Sequence, residues 1–316
     1  MHFSPLAMHI PDGFLSTLVS LVLWGLSVPA IAYALRRTGT ALGERQVPLM
    51  GVLAATIFAG QMLNFSLAGG TSGHLLGAAL AAILLGPWPA VVVMTSVVSV
   101  QAMVFQDGGL LALGANMFNM AVVGVMVSHA LYASLRRLFG GKSWALFVSG
   151  AVAAWTSIVI AALACALELA ASGTSPANIA VPAMGGIHAL IGLGEALITV
   201  GALSFVYSAR KDLLPDGAQP RDTSQLVWIV GLAIAIALAV LSPLASANPD
   251  GLEWVAAQKG FLHFAQEPVY NLIPDYVVPG ISNTALATIA AGLIGALLVL
   301  GVVLLVAGQR RRNVAR

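Results

Sequence analysis

The sequence predicts an all-α polytopic integral membrane protein with about nine transmembrane helices. Of its 316 residues, 59% are hydrophobic and only 8% are charged, whereas soluble domains carry roughly 25% charged residues. Apolar runs recur along the whole chain, and a spanning helix needs about 20 such residues. The formal net charge is only +2, which argues against a nucleic-acid partner and leaves the lipid bilayer as the expected surroundings.

Polar or Gly/Pro-rich segments separate nine apolar runs, each of which predicts a helix. These runs lie near 16–35, 48–67, 74–86, 88–105, 110–135, 143–171, 184–209, 225–244 and 284–308. The third run is the shortest, so its polar flank should be buried or line a cavity at membrane depth. Residues 68–75 are therefore a candidate site.

The basic residues predict the orientation of these helices. Thirteen of the 14 Lys and Arg residues fall in the segments 36–47, 136–142, 210–224 and 309–316, which leaves Lys259 as the exception. By the positive-inside rule, these four segments face the cytoplasm. The N-terminus is then outside and the C-terminus cytoplasmic, in the cell inner (cytoplasmic) membrane.

Two polar segments divide the chain into units. Residues 1–209 are predicted to form a unit of seven helices, and residues 210–224 a charged cytoplasmic linker. Residues 225–316 form a two-helix unit whose helices are joined by a polar outer loop at 245–283.

His9 and His74 are candidate metal ligands, because the predicted topology places both at the outer side. A chain that begins at Met8 offers three nitrogen donors, namely the free α-amine, the His9 amide nitrogen and the His9 imidazole. His74 would supply the fourth nitrogen, and a square-planar nitrogen set favours Ni(II) or Cu(II), while Co(II) also uses such ligands. The alternative is that both histidines are loop or capping residues.

The amine can act as a ligand only if Met8 is the free N-terminus. Residues 1–7 are too short for a secretory signal and contain no Lys or Arg. We therefore expect either a short native extension or a true start at Met8.

Further polar residues are expected around the imidazoles, since a ligating histidine usually donates its second N–H to a neighbouring acceptor. The candidates are Gln61, Asn64, Ser72, Gln106, Asp107 and Asn116. Taken singly, each is as well explained by tying loops together. His188 and Glu195 lie two helical turns apart on one face, which predicts a structural polar pair or a step in an ion path.

Enzyme signatures are absent from the sequence. Gly140–Ser143 is similar to the end of a phosphate-binding loop, but that motif needs glycine at position 136, which is Arg136. The chain is thus predicted not to be an enzyme and to bind no permanent cofactor, and any ATP hydrolysis should occur in a separate subunit.

Several motifs in order resemble the CbiM/NikM proteins, the substrate-binding membrane components of energy-coupling factor transporters for cobalt and nickel. They are MHIPDGFL at 8–15, GGTSGHL at 69–75, QDGG at 106–109, GANMFN at 114–119 and HALIGLGE at 188–195. PDGLE at 249–253, PDY at 274–276 and PG at 279–280 resemble the small NikN or PDGLE partner. The chain thus looks like a fused pair.

The resemblance implies a metal site built from Met8, His9 and His74, with transported Ni(II) or Co(II) as substrate. It also implies a transmembrane coupling protein of the CbiQ/NikQ type and a cytoplasmic ATPase of the CbiO/NikO type. The sequence at 10–13, IPDG, is more similar to nickel members than to cobalt members.

Two other functions are compatible with the sequence. One is an ion-gradient-driven secondary transporter with His188 and Glu195 as a relay. The other is a sensor or structural subunit that binds metal without transporting it. Metal uptake, measured with and without the ATPase partners, distinguishes these two functions from ATP-driven import.

Overall fold

The computed structural model describes residues 8–41, 46–214 and 224–314. Its helices are α1 (Thr17–Ala41), α2 (Gln46–Gln61), α3 (Ala78–Leu85), α4 (Pro87–Phe105), α5 (Leu113–Asn116), α6 (Gly124–Leu138), α7 (Ser143–Ala171), α8 (Ala177–Ala209), α9 (Ser224–Leu241), α10 (Gly251–Lys259) and α11 (Thr284–Val314). A π-helical segment, Met117–Val123, joins α5 to α6, and two short strands, β1 (Phe65–Leu67) and β2 (Thr71–Gly73), pair as an antiparallel hairpin.

The all-α membrane class is confirmed. Seven helical segments in the described part of the chain are long and apolar enough to cross a membrane, namely α1, α4, the continuous α5–α6 segment, α7, α8, α9 and α11. Helix α2 has 16 residues and α3 has eight, so both fall below the roughly 20 residues of a full span. Nine crossings remain a prediction.

Two predicted helices are shorter than expected. The run 48–67 ends as a helix at Gln61, and the run 74–86 becomes helical only at Ala78. Between them lie the hairpin and the loop 74–77, and Gly69, Gly70 and Gly77 in this segment have positive φ angles of 75° to 88°. Backbone of this kind interrupts a helix, because L side chains rarely adopt left-handed conformations.

Helix α8 is longer than predicted, because it starts at Ala177 rather than near 184 and continues through Pro182. Membrane helices tolerate an internal proline where neighbouring groups satisfy the freed backbone.

The two units pack against each other along the membrane helices. Eleven of the 16 residues of α2 are buried, and this helix packs against α4 from its own unit and against α9 and α11 from the two-helix unit. The predicted linker cannot be described in full, because residues 215–223, like residues 1–7, 42–45 and 315–316, lie outside the described residues.

The predicted orientation can be tested by cysteine labelling, since the one native cysteine, Cys165, is buried. Lys142 and Lys259 are both exposed, and the charge distribution places them on opposite sides of the membrane. An impermeant maleimide added to intact cells should label Lys259→Cys and leave Lys142→Cys unmodified until the cells are opened. Labelling of Lys142→Cys in intact cells would contradict this orientation.

Candidate metal site

His9 and His74 meet at one end of the helical bundle, although 65 positions separate them. Their ring centroids are 5.7 Å apart and the ring planes are inclined by 70°. Both imidazoles line a cavity of about 80 Å³, together with the partly buried Met8. The predicted meeting of these three residues is thus present in the geometry.

Two nitrogen atoms of His9, the backbone nitrogen and Nδ1, contact the same oxygen of Asp107. Its backbone N–H donates to Asp107 Oδ1 at 3.3 Å, and its ring Nδ1 lies 3.0 Å from the same oxygen. Since the oxygen is an acceptor, Nδ1 carries the proton in this arrangement. A six-membered chelate through these two nitrogens would require both to lose their protons and the metal ion to take the place of Asp107 Oδ1.

The segment around His9 is hydrogen-bonded to the residues that follow α4. The side-chain amide of Asn116 pairs with the backbone of Ile10: its NH2 group donates to the Ile10 carbonyl and its oxygen accepts from the Ile10 N–H, both at 3.0 Å. Asp12 accepts from the backbone N–H groups of Leu110 and Ala112 at 3.0 and 2.9 Å. Asn116 thus binds the backbone of Ile10, the residue after His9.

The loop that carries His74 is fixed from two helices. Gln61 on α2 donates to the Leu76 carbonyl at 2.8 Å. Glu195 on α8 accepts from the N–H groups of Leu76 and Gly77 at 2.6 and 2.9 Å. Leu76 and Gly77 directly precede α3. A carboxylate at this position is favourable, because the N-terminus of a helix carries free N–H groups and a partial positive charge.

His188 and Glu195 bond to different partners. The ring Nδ1 of His188 lies 2.9 Å from the Met184 carbonyl, whereas Glu195 is engaged by the loop after His74. His188 therefore borders the cavity, and Glu195 supports the position of the His74 loop.

Three other predicted second-layer residues have contacts away from the imidazoles. Ser72 donates to the Asn248 carbonyl at 2.8 Å, and the Gln106 amide donates to the Val104 carbonyl at 3.1 Å. The main-chain carbonyl of Asn64 accepts from the Ser246 N–H at 2.8 Å. Ser72 and Asn64 thus connect the first unit to the outer loop of the second.

The PDGLE segment covers the cavity. The Pro249 carbonyl accepts from the Ser72 N–H at 2.8 Å, and Asp250, Gly251 and Leu252 line the cavity wall. A Cβ on Gly251 would lie 2.6 Å from Ile191 Cδ1 and 3.0 Å from His188 Cε1. Glycine at this position therefore lets the backbone of the second unit approach the cavity closely.

Charge is distributed unevenly around the two imidazoles. Removal from water lowers the pKa of His74 to about 4, so this ring is neutral at pH 7. Burial alone would lower the pKa of His9, but the Asp107 carboxylate outweighs it and raises that pKa. Burial raises the pKa of Asp250 to about 8, which favours its neutral form.

Several residues of the site were not assigned by the sequence. Tyr276 donates to Asp107 Oδ2 at 2.5 Å, and Asn119, which lines the cavity from the π-helical segment, donates to Glu168 at 2.8 Å. π-helical turns are frequent at functional sites. Asn119 lies in the GANMFN motif and Tyr276 in the PDY motif, so the family resemblance was the sequence signal for these two residues.

Side chains alone do not complete a metal site here. The described residues include no group of three or more His, Cys, Asp or Glu side chains arranged to hold a metal ion.

Comparison with known proteins assigns the two units. Residues 9–213 match the family described as the cobalt uptake substrate-specific transmembrane region, CbiM. The chain belongs to the CbiM family. Residues 225–312 match the PDGLE domain, so this CbiM member carries a PDGLE unit at its C-terminal end.

Relatives of this CbiM chain share the same combination in one polypeptide. A putative fused nickel transport protein NikMN from Archaeoglobus fulgidus is 38% identical over 296 residues, which cover 93% of this chain and 96% of the relative. The fused nickel transport protein NikMN from Rhodobacter capsulatus is 31% identical, with 96% and 98% of the two chains covered.

A solved structure is similar to the first unit. The crystal structure of a truncated transition metal transporter superposes with a TM-score of 0.57 at 34% identity. The match covers 63% of this CbiM chain and 98% of the other.

Proposed function

We propose that this protein is the substrate-binding membrane component of an ATP-driven importer for transition metal ions, and that it prefers nickel over cobalt. The observation that carries the proposal is that His9 and His74, 65 positions apart, meet with ring centroids 5.7 Å apart and line one cavity together with Met8. The broader assignment, a membrane transport protein of the CbiM/NikMN type, follows from the family.

The proposed donor set is the amine of Met8, the amide nitrogen of His9, the Nδ1 atom of His9 and one ring nitrogen of His74. The first three would form two fused chelate rings once the His9 amide nitrogen and Nδ1 have released the protons that face Asp107 Oδ1, and the neutral His74 ring has a lone pair to donate. Four nitrogens in a plane favour Ni(II), and Co(II) accepts the same donors. The two fused relatives are named as nickel transport proteins, which also supports the preference for nickel.

The energy source is proposed to be a separate ATPase with a transmembrane coupling protein, of the CbiO/NikO and CbiQ/NikQ types. No phosphate-binding loop occurs in the sequence, and Glu195, one half of the proposed relay, is occupied by backbone N–H groups of the His74 loop. This arrangement favours a structural role for Glu195 over ion relay.

Uptake of radioactive nickel by cells tests the proposal. Cells that produce this chain with the coupling protein and the ATPase should accumulate nickel, and an ATPase with its catalytic glutamate replaced should abolish the uptake. Uptake that persists without the ATPase and stops when an ionophore dissipates the ion gradient would instead establish secondary transport.

A further inference from the structure

A second cavity lies at the other end of α3 and α6 from the proposed metal site. It has a volume of about 430 Å³. Residues 82–86 line it from the end of α3, and α6 contributes His129, Tyr132, Ala133, Arg136 and Arg137. The metal cavity is lined instead by Leu76 and Met120, which precede α3 and α6. The two cavities therefore lie at opposite ends of the same two helices.

The second cavity lies where a membrane interface is expected. Arg136 and Arg137 are in the last turn of α6, at the end of a candidate span. Trp88 follows the cavity residue Gly86 at the start of α4, and its ring centroid is 4.9 Å from that of Tyr33. Basic residues and Trp or Tyr rings concentrate at the level of the lipid headgroups. Because Arg137 is exposed, the cavity reaches the surface at that level.

The permanent charge in this cavity is of one sign. The lining contains two arginines and no Asp or Glu. The guanidinium of Arg136 donates to the carbonyls of Lys142 and Gly141 at 2.6 and 3.2 Å, so the loop after α6 fixes its position. Within the described part of the chain, Arg137 forms no ion pair with a carboxylate. The complementary ligand is therefore an anion, and guanidinium groups bind phosphate oxygens through paired hydrogen bonds.

The rest of the lining favours a lipid over a free phosphate ion. Residues 82–85 and Ala133 have apolar side chains, with which a hydrated inorganic ion makes no favourable contact. An anionic phospholipid has both parts, a phosphodiester for the basic residues and a glycerol and acyl portion for the apolar ones. Basic pockets between transmembrane helices are typical binding sites for such headgroups. The cavity volume also falls within the range of about 300–1,000 Å³ that small-molecule pockets have.

We propose that this cavity binds the headgroup of one anionic phospholipid, with its phosphate against Arg136 and Arg137 and its glycerol backbone along the end of α3. The site is separate from the proposed metal site and does not depend on the proposed function. The bound lipid connects the bilayer to α3, the helix that follows the His74 loop.

Native mass spectrometry of the full chain counts the lipids that it retains. The protein is taken from nanodiscs of phosphatidylcholine that contain a minor share of phosphatidylglycerol. One phosphatidylglycerol should remain bound per chain, and the zwitterionic phosphatidylcholine should be lost. Glycerol phosphate, which carries a phosphate but no acyl chains, should not displace the lipid at equal concentration. Displacement by it would identify a soluble phosphate as the ligand and overturn the proposal.

Two Arg→Gln substitutions test the role of charge. Arg137→Gln should weaken the retention of phosphatidylglycerol about fivefold, the effect of one basic residue next to anionic lipid. Arg37→Gln is the matched control, because it removes the same charge from the end of α1. There the guanidinium bonds to the Tyr33 hydroxyl at 2.8 Å and does not line the cavity, so retention should equal that of the parent. Equal losses in both variants would overturn the proposal, since binding would then follow net charge alone.

Two Ala→Phe substitutions on α6 test the role of shape with every charge kept. Ala133→Phe places a ring in the cavity and should abolish retention, whereas Ala130→Phe, at an exposed position outside the cavity, should have no effect. Size-exclusion chromatography checks that the variants elute like the parent. Parent-like retention in Ala133→Phe would overturn the proposal. So would a lipid that the chain retains alone but that is absent from the assembled transporter, because a protein partner would then occupy the cavity.

Discussion

Protein that begins at Met8 should bind Ni(II) about a hundredfold more tightly than protein that retains residues 1–7, a difference of about 2.8 kcal/mol. The free amine is one of the four proposed nitrogens, and a preceding residue converts it to an amide. Isothermal titration of both purified forms, with the N-termini verified by mass spectrometry, measures the difference.

A terminus that begins with Met8→Ala is the control, because it keeps the amine and changes only the side chain. It should bind within a few-fold of the Met8 form. If the intact extension binds nickel as tightly as the Met8 form, the amine is not a ligand. The site would then use other atoms, such as His9 Nε2, which is buried and without a hydrogen-bond partner in the described part of the chain.

Replacing His74 by alanine should weaken Ni(II) and Co(II) binding at least tenfold, or about 1.4 kcal/mol. The substitution removes one nitrogen donor, while the loop backbone stays anchored by Gln61 and Glu195. Membrane insertion should therefore be unchanged, and metal titration of the detergent-purified protein measures the affinity.

Two further variants are matched to that experiment. His263→Ala removes an exposed imidazole from the outer loop and should leave the affinity unchanged. Glu195→Gln should lower the thermal stability more than the metal affinity, because its carboxylate bonds to backbone rather than to the proposed ligands. Unchanged nickel and cobalt affinity in His74→Ala would end its assignment as a ligand.

The membrane class and the meeting of His9 with His74 could be read from the sequence, because hydropathy and charge place both residues at helix ends on one side. The second layer was harder to predict. Gln106 and Asp107 were both candidates beside the imidazoles, and the contact with His9 is made by Asp107. Gln106 ends α4 with a φ of 56°, and this left-handed turn directs its amide back to Val104.

The contribution of the second unit could not be derived from the sequence at all. Asp250 lines the cavity and Tyr276 binds Asp107, and both belong to the loop between α9 and α11, the helices that pack on α2. Nothing in local periodicity indicates which loop of one unit lies over which loop of the other. The hairpin at 65–73 was missed for a related reason, since its β2 strand is held by the backbone of Asn248 and Pro249.

The burial of α2 has a consequence for how the chain is made. This helix is the second to leave the ribosome, but two of the three helices that cover it, α9 and α11, come from the last hundred residues of the chain. During synthesis α2 is left without these partners until the end, and at 16 residues it is short for an independent span. The surface of α2 that α9 and α11 cover is therefore buried only after the final helix has been synthesised.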